Sequence, residues 1–135
     1  MPISSLVEKV RAAKRVYVVG NGGSFSNAEH LVNDLLSVGV KAYSINHAFF
    51  SATANDKGYY QSFARWIRVV GEPDDLLIAL SGSGKSPNIL IACEAAEEIG
   101  MEVHREFGAE LGQDAQVSEQ HQLIVAHEIM RALRK

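Results

Sequence analysis

DLLIALSGSGKSPNIL, Asp75 to Leu90, decides how the chain is read. Asp75 to Leu80 is apolar nearly throughout, the composition of a strand covered on both faces. A Gly/Ser-rich loop follows at once, and Pro87 then marks a helix start. Strand, tight loop and helix in that order form one repeat of a parallel α/β unit. Working outward, the order recurs. RVYVVG, Arg15 to Gly20, is a short β-rich run, NGGS follows it, and Ser24 to Ser37 has helical spacing. KAYSIN, Lys41 to Asn46, is a second strand and MEVH, Met101 to His104, a fourth. Helices are expected over Ser4–Ala13, Asp56–Val70, Pro87–Ile99 (stopped by Gly100) and Gln116–Leu133. The expectation is an α/β sandwich around a mostly parallel sheet. Ligands of such sheets bind beyond the carboxyl ends of the strands. Both Gly/Ser loops should therefore lie on one edge of the sheet.

Bulk properties narrow the function classes. The chain of 135 residues suits one domain, residues 1–135, with a single core. A net charge of −3 gives no reason to expect nucleic acid or an anionic membrane as partner. A lone cysteine, Cys93, excludes an internal disulfide and fits a reducing cytoplasm. No apolar run is long enough to span a bilayer, and MPISSLVEKVRAAK lacks the apolar segment of a signal peptide.

Ala79 to Ser86 fits a relaxed Walker A pattern, so a nucleotide must be weighed. Two features count against it. Pro87 stands where a P-loop helix should already be running with every N–H available. No later strand ends in an aspartate placed to hold magnesium. The expectation is no nucleotide. Ser81, Ser83 and Ser86 instead supply three hydroxyls within six residues. Gly82 and Gly84 let backbone approach an anion, and the following helix offers N–H groups. That chemistry suits a phosphate monoester, with Lys85 at the rim. A plain flexible turn is the competing reading of the loop taken alone.

Together the loops resemble the SIS (sugar isomerase) domain family, most closely its phosphoheptose isomerase branch. GNGGSFSNAEH, Gly20 to His30, matches the family's first-loop signature without a gap. ANDKGYYQSFARWI, Ala54 to Ile67, is similar to its middle segment. GEPDDLLIALSGSGKSPNIL, Gly71 to Leu90, resembles its phosphate loop, and QLIVAHEI, Gln122 to Ile129, its last helix. Three ordered signatures are far more specific than a lone glycine motif. The resemblance implies a flavodoxin-like three-layer sandwich with about four strands. It implies a homotetramer that isomerises sedoheptulose 7-phosphate to D-glycero-D-manno-heptose 7-phosphate. By position, Ser81, Ser83 and Ser86 would grip the phosphate. Asn21, Gly22, Gly23, Ser24, Asn55, Asp56 and Glu119 would contact the sugar. His30, Asp34, Glu119 and His127 would stand at zinc positions, with Asp34 and His127 also the proton carriers.

Residue spacing tests part of this. His30 and Asp34 are four apart and share one helix face. That face is nearly opposite the apolar stripe Ala28, Leu31, Val32 and Leu35, so the pair should meet solvent or another subunit. An exposed ion pair of small effect is the competing reading. His127 sits beside Leu123, Ile124 and Met130, where a core histidine is the rival. Gln120 aligns with His127 better than Glu119 does, so either could face the site. Aldose–ketose exchange needs a carboxylate or imidazole on each side of an enediolate, and histidine and carboxylate ligands suit zinc.

The family pattern also breaks. Asp34 stands where glutamate is typical, and Glu119 where glutamine is. His104 to Gln120 carries no β-branched run, so the family's fifth strand is expected to be missing and the chain to be a shortened form. These departures keep a second function open: a non-catalytic sugar-phosphate-binding or protein-interaction module, resembling the DnaA initiator-associating protein. Cys93 is expected to be a packed thiol, and His47, His104 and His121 structural or solvated. Asp56 is expected to cap the helix it opens.

Overall fold

The structure is a computed structural model and describes residues 3–107 and 114–134. Among these residues, one sheet of four parallel strands has the order β2-β1-β3-β4. The strands are β1 (Val16–Val19), β2 (Ala42–Tyr43), β3 (Leu76–Ser81) and β4 (Glu102–Phe107). β1 runs in register with β3 from Val16↔Leu76 to Val19↔Ala79. β3 continues against β4 from Leu76↔Glu102 to Ser81↔Phe107. This is the flavodoxin-like order as far as four strands go.

Alternation along the strands divides the core in two. Val16, Val18, Leu76, Ile78 and Leu80 face α1 (Ile3–Ala12), α2 (Gly23–Ser37) and α6 (Ala115–Leu133), through Leu6, Val10, Leu31, Leu35 and Ile129. Tyr17, Val19, Leu77 and Ala79 face the other way. They pack on α4 (Ala64–Val70) and α5 (Pro87–Ile99) through Trp66, Ile67, Ile89 and Ala92. Each fully buried aliphatic or aromatic side chain contributes roughly 1.5–3 kcal/mol. The period-two pattern therefore fixes which helices lie on which face.

Four expectations change here. The helix expected over Asp56–Val70 is broken. α3 runs over His47–Lys57, a 3-10 turn over Tyr59–Gln61, and α4 begins only at Ala64. Gly58, at φ 104, ends α3. Asn46 caps α3 by accepting from Phe49 N–H, so Asp56 ends this helix rather than opening one. The fourth strand, expected to end at His104, runs on through Arg105-Glu106-Phe107. The rest of the expected gap, residues 108–113, lies outside the described residues. KAYSIN yields only the two-residue strand Ala42–Tyr43.

Cys93 is 1% exposed, in the layer formed by α5. Burial pushes its thiol up to about 11. At pH 8 the thiolate fraction is then about 0.1%. Alkylation by iodoacetamide should be at least about a hundredfold slower in the native protein than in urea. Comparable rates would contradict its packed position. His104, 3% exposed, pairs with Glu106 at 3.1 Å, so it is structural as expected.

Candidate functional site

Both Gly/Ser loops sit at the carboxyl edge of neighbouring strands. Gly20–Gly23 follows β1, Gly82–Ser86 follows β3, and the two strands pair in parallel. Gly22 opens α2 at φ 57, ψ −122, a conformation that side-chain-bearing residues rarely adopt. Gly20 faces a tighter limit. A Cβ there would lie 2.6 Å from Ser24 O, a backbone atom. At Gly23 the atoms nearest an added Cβ are those of the carboxylate end of the flexible Glu119 side chain. Gly20→Ala should therefore cost about 1–3 kcal/mol, and Gly23→Ala less than about 1 kcal/mol. Urea denaturation of the two variants checks the order.

The four serines expected to meet ligand divide into two kinds. Ser81 is 3% exposed and accepts the Gly84 N–H at 3.0 Å, so it braces the loop. Ser24 is 4% exposed and accepts from Gln122 Nε2 at 3.0 Å, which turns it toward α6. Ser83 is exposed and accepts the Lys85 N–H at 3.0 Å, which leaves its hydroxyl hydrogen to donate outward. Ser86 is half-buried and begins α5 with no side-chain cap bond. The N–H groups of Ile89 and Leu90 both bond Ser86 O. The loop hydroxyls that remain accessible are therefore those of Ser83 and Ser86, beside exposed Lys85.

The two loops are tied by side chains. Asn21 Nδ2 donates to Asn88 Oδ1 at 2.8 Å, and Asn88 Nδ2 donates back to Asn21 Oδ1 at 2.9 Å. Tyr59 OH donates to the same Asn21 oxygen at 2.8 Å. Asn88, 1% exposed, also donates to Ser62 Oγ at 3.2 Å. Neither Asn88 nor Tyr59 stands out in the sequence. A polar residue at an inward position of α5 was the one available signal.

α6 lies alongside α2 with residue numbers rising together. Glu119 abuts Gly23, Gln122 bonds Ser24 and Asn27, and His127 meets His30. Asn27 Nδ2 also donates to Glu119 O at 2.8 Å. The helices are therefore parallel. Seven residues of α2 place His30 about 10 Å beyond Gly23 along its axis.

At that level three donors converge. His30 Nε2 is 3.2 Å from His127 Nε2 and 3.3 Å from Asp34 Oδ2. One donor atom from each residue lies within 4.8 Å of the others. The His30 and Asp34 side chains are 46% and 19% exposed, so the pair expected to meet solvent or another subunit stays open at His30 while α6 brings His127 against it. Tetrahedral zinc, with ligands about 2.0–2.1 Å away, sets neighbouring donors roughly 3.3 Å apart. The His30–His127 and His30–Asp34 separations match that spacing. Glu119 is not in it, because its carboxylate sits two turns earlier at Gly23. Glu119 is half-buried there and Gln120 exposed, so Glu119 is the one that faces the first loop. Asn55 and Asp56 are exposed at the end of α3 and bond each other at 3.0 Å. Their neighbour Tyr59, rather than either of them, reaches Asn21.

A parallel sheet with both Gly/Ser loops at its carboxyl edge defines an α/β domain that binds its ligand at that edge. The SIS domain family matches residues 3–104, and the chain belongs to it. Among curated proteins it is similar to the phosphoheptose isomerase of Rhodospirillum rubrum, 39% identical over 116 residues. That match covers 80% of this chain and 62% of the relative. The Helicobacter pylori (strain P12) phosphoheptose isomerase is 36% identical over 104 residues, 71% of this chain and 54% of the relative. The chain spans 54% to 64% of the length of such curated relatives. Among solved structures, a phosphoheptose isomerase from Francisella tularensis superposes with a TM-score of 0.87 at 24% identity. That superposition covers 98% of this chain and 84% of the other. The Vibrio vulnificus NanR protein complexed with ManNAc-6P gives 0.74 at 18% identity, covering 97% and 52%. These likenesses establish the fold. Among the described residues, no helix is long and apolar enough to cross a membrane.

Proposed function

We propose that the chain is a phosphoheptose isomerase, interconverting sedoheptulose 7-phosphate and D-glycero-D-manno-heptose 7-phosphate through an enediolate. The single observation that carries this reading is the His30–Asp34–His127 trio, set along one helix seam from the first Gly/Ser loop. The phosphate lies on Ser83, Ser86 and Lys85, with Ser81 bracing their loop. The sugar runs past Asn21, Gly22 and Gly23 toward the trio, and Ser24 supports that loop from behind. Asp34 takes the proton from the carbon next to the carbonyl, and His127 returns one to its neighbour. The converging donors favour zinc as the resident ion, held by His30, Asp34 and His127. When bound, the ion supplies a Lewis acid for the substrate oxygens.

The protein in this reading is cytoplasmic, as the single buried thiol suits, and it assembles as a homotetramer. Exposed Leu36, Val69 and Ile124 are apolar surface that subunit contacts would cover. The test is incubation of sedoheptulose 7-phosphate with zinc-supplemented protein. Appearance of the aldose 7-phosphate supports the isomerase. Binding without product overturns it in favour of a binding module.

A further inference from the structure

Resting on the sugar-phosphate reading, we propose that Asn88 is a positioning residue that makes Asn21 a pure hydrogen-bond donor toward the sugar. An Asn carbonyl oxygen has two lone pairs. At Asn21 both are taken, one by Asn88 Nδ2 at 2.9 Å and one by Tyr59 OH at 2.8 Å. Of its two N–H hydrogens, one goes to Asn88 Oδ1 at 2.8 Å. One N–H remains without a partner among the described residues. Asn21 thus offers a ligand one donor and no acceptor, so the ligand atom it meets is an oxygen acting as acceptor.

Placement says which oxygen. The phosphate-gripping serines follow β3, whereas Asn21 follows β1, one strand over and about 4.8 Å away. A ligand anchored by its phosphate beyond β3 reaches Asn21 with its carbon chain, because the two loops share one edge of the sheet. The N–H therefore contacts a sugar oxygen rather than the phosphoryl group. Asn88 holds this orientation because it is itself fixed: it is 1% exposed, and its second N–H goes to Ser62 Oγ at 3.2 Å. Losing Asn88 releases the Asn21 amide to rotate and leaves buried polar groups unpaired.

The test separates sugar from phosphate. Inorganic phosphate, and a seven-carbon alditol 7-phosphate that cannot turn over, are titrated by calorimetry into the wild-type protein, Asn88→Leu and Tyr59→Phe. Asn88→Leu should weaken the alditol phosphate at least about tenfold and change inorganic phosphate less than about twofold. Tyr59→Phe alters a half-exposed residue and preserves folding. It should weaken the alditol phosphate about threefold, again sparing inorganic phosphate. Equal losses for both ligands would reduce Asn88 to a scaffold residue and overturn the inference. So would unchanged binding in both variants. Failure of the wild-type protein to bind either ligand is a separate result, which overturns the sugar-phosphate reading itself.

Discussion

Asp34→Asn should lower turnover of sedoheptulose 7-phosphate by at least about a hundredfold while its dissociation constant changes less than about threefold. The substitution keeps the shape of the side chain and removes its ability to take a proton. General base catalysis is worth roughly 10²–10⁴ in rate. Asp34 lies about three turns into α2, whereas Ser83 and Ser86 lie in the loop between β3 and α5, so anchoring of the phosphate should survive. Steady-state kinetics paired with calorimetry gives both numbers. Turnover retained in Asp34→Asn would remove Asp34 from the chemistry. Lost affinity would mean that it acts mainly in binding.

The second large effect concerns the metal. His30→Ala and His127→Ala should each weaken zinc by more than about a hundredfold, measured by competition with a chromogenic chelator. Each removes one of three converging donors, and even losing a partner behind a ligand commonly costs 10–100-fold. Glu119→Gln is the informative control. Its carboxylate lies at Gly23, away from the trio, so zinc affinity should stay within about threefold. A large loss in Glu119→Gln would mean that α6 shifts to bring Glu119 in as a fourth ligand. Unchanged affinity in His127→Ala would show that the 3.2 Å approach of the two imidazoles has no part in holding an ion.

The strand–loop–helix repeats were legible because two signals coincide in each: an apolar run, then glycine and serine. β1, β3, α2 and α5 lie close to where those signals set them, with α5 ending at Gly100 in the left-handed region. The middle of the chain was less legible. The α3 segment has almost no amphipathic pattern, and only Thr53 is buried along it, so periodicity could not reveal it. The extension of β4 was hidden because His104, Arg105 and Glu106 read as polar. Arg105 is exposed on one face of this strand, whereas His104 is buried on the other and pairs with Glu106.

At the site, helical spacing correctly put His30 and Asp34 on one face. It could not show that α6 would cover that face, because helix-to-helix register is set by packing far along the chain. The same limit applies to the serines. Spacing shows that hydroxyls are present, but not that Ser81 and Ser24 point into the protein while Ser83 and Ser86 remain accessible. The Asn21–Asn88 pair joins residues 67 apart and left no local trace.

The most direct measurement runs the reaction in deuterium oxide and follows it by proton NMR. If Asp34 and His127 pass a proton through an enediolate beside the carbonyl, the aldose product carries deuterium at C2, and Asp34→Asn abolishes both product and label. A product formed without solvent deuterium at that carbon, or label persisting in Asp34→Asn, would contradict the role assigned to the helix seam.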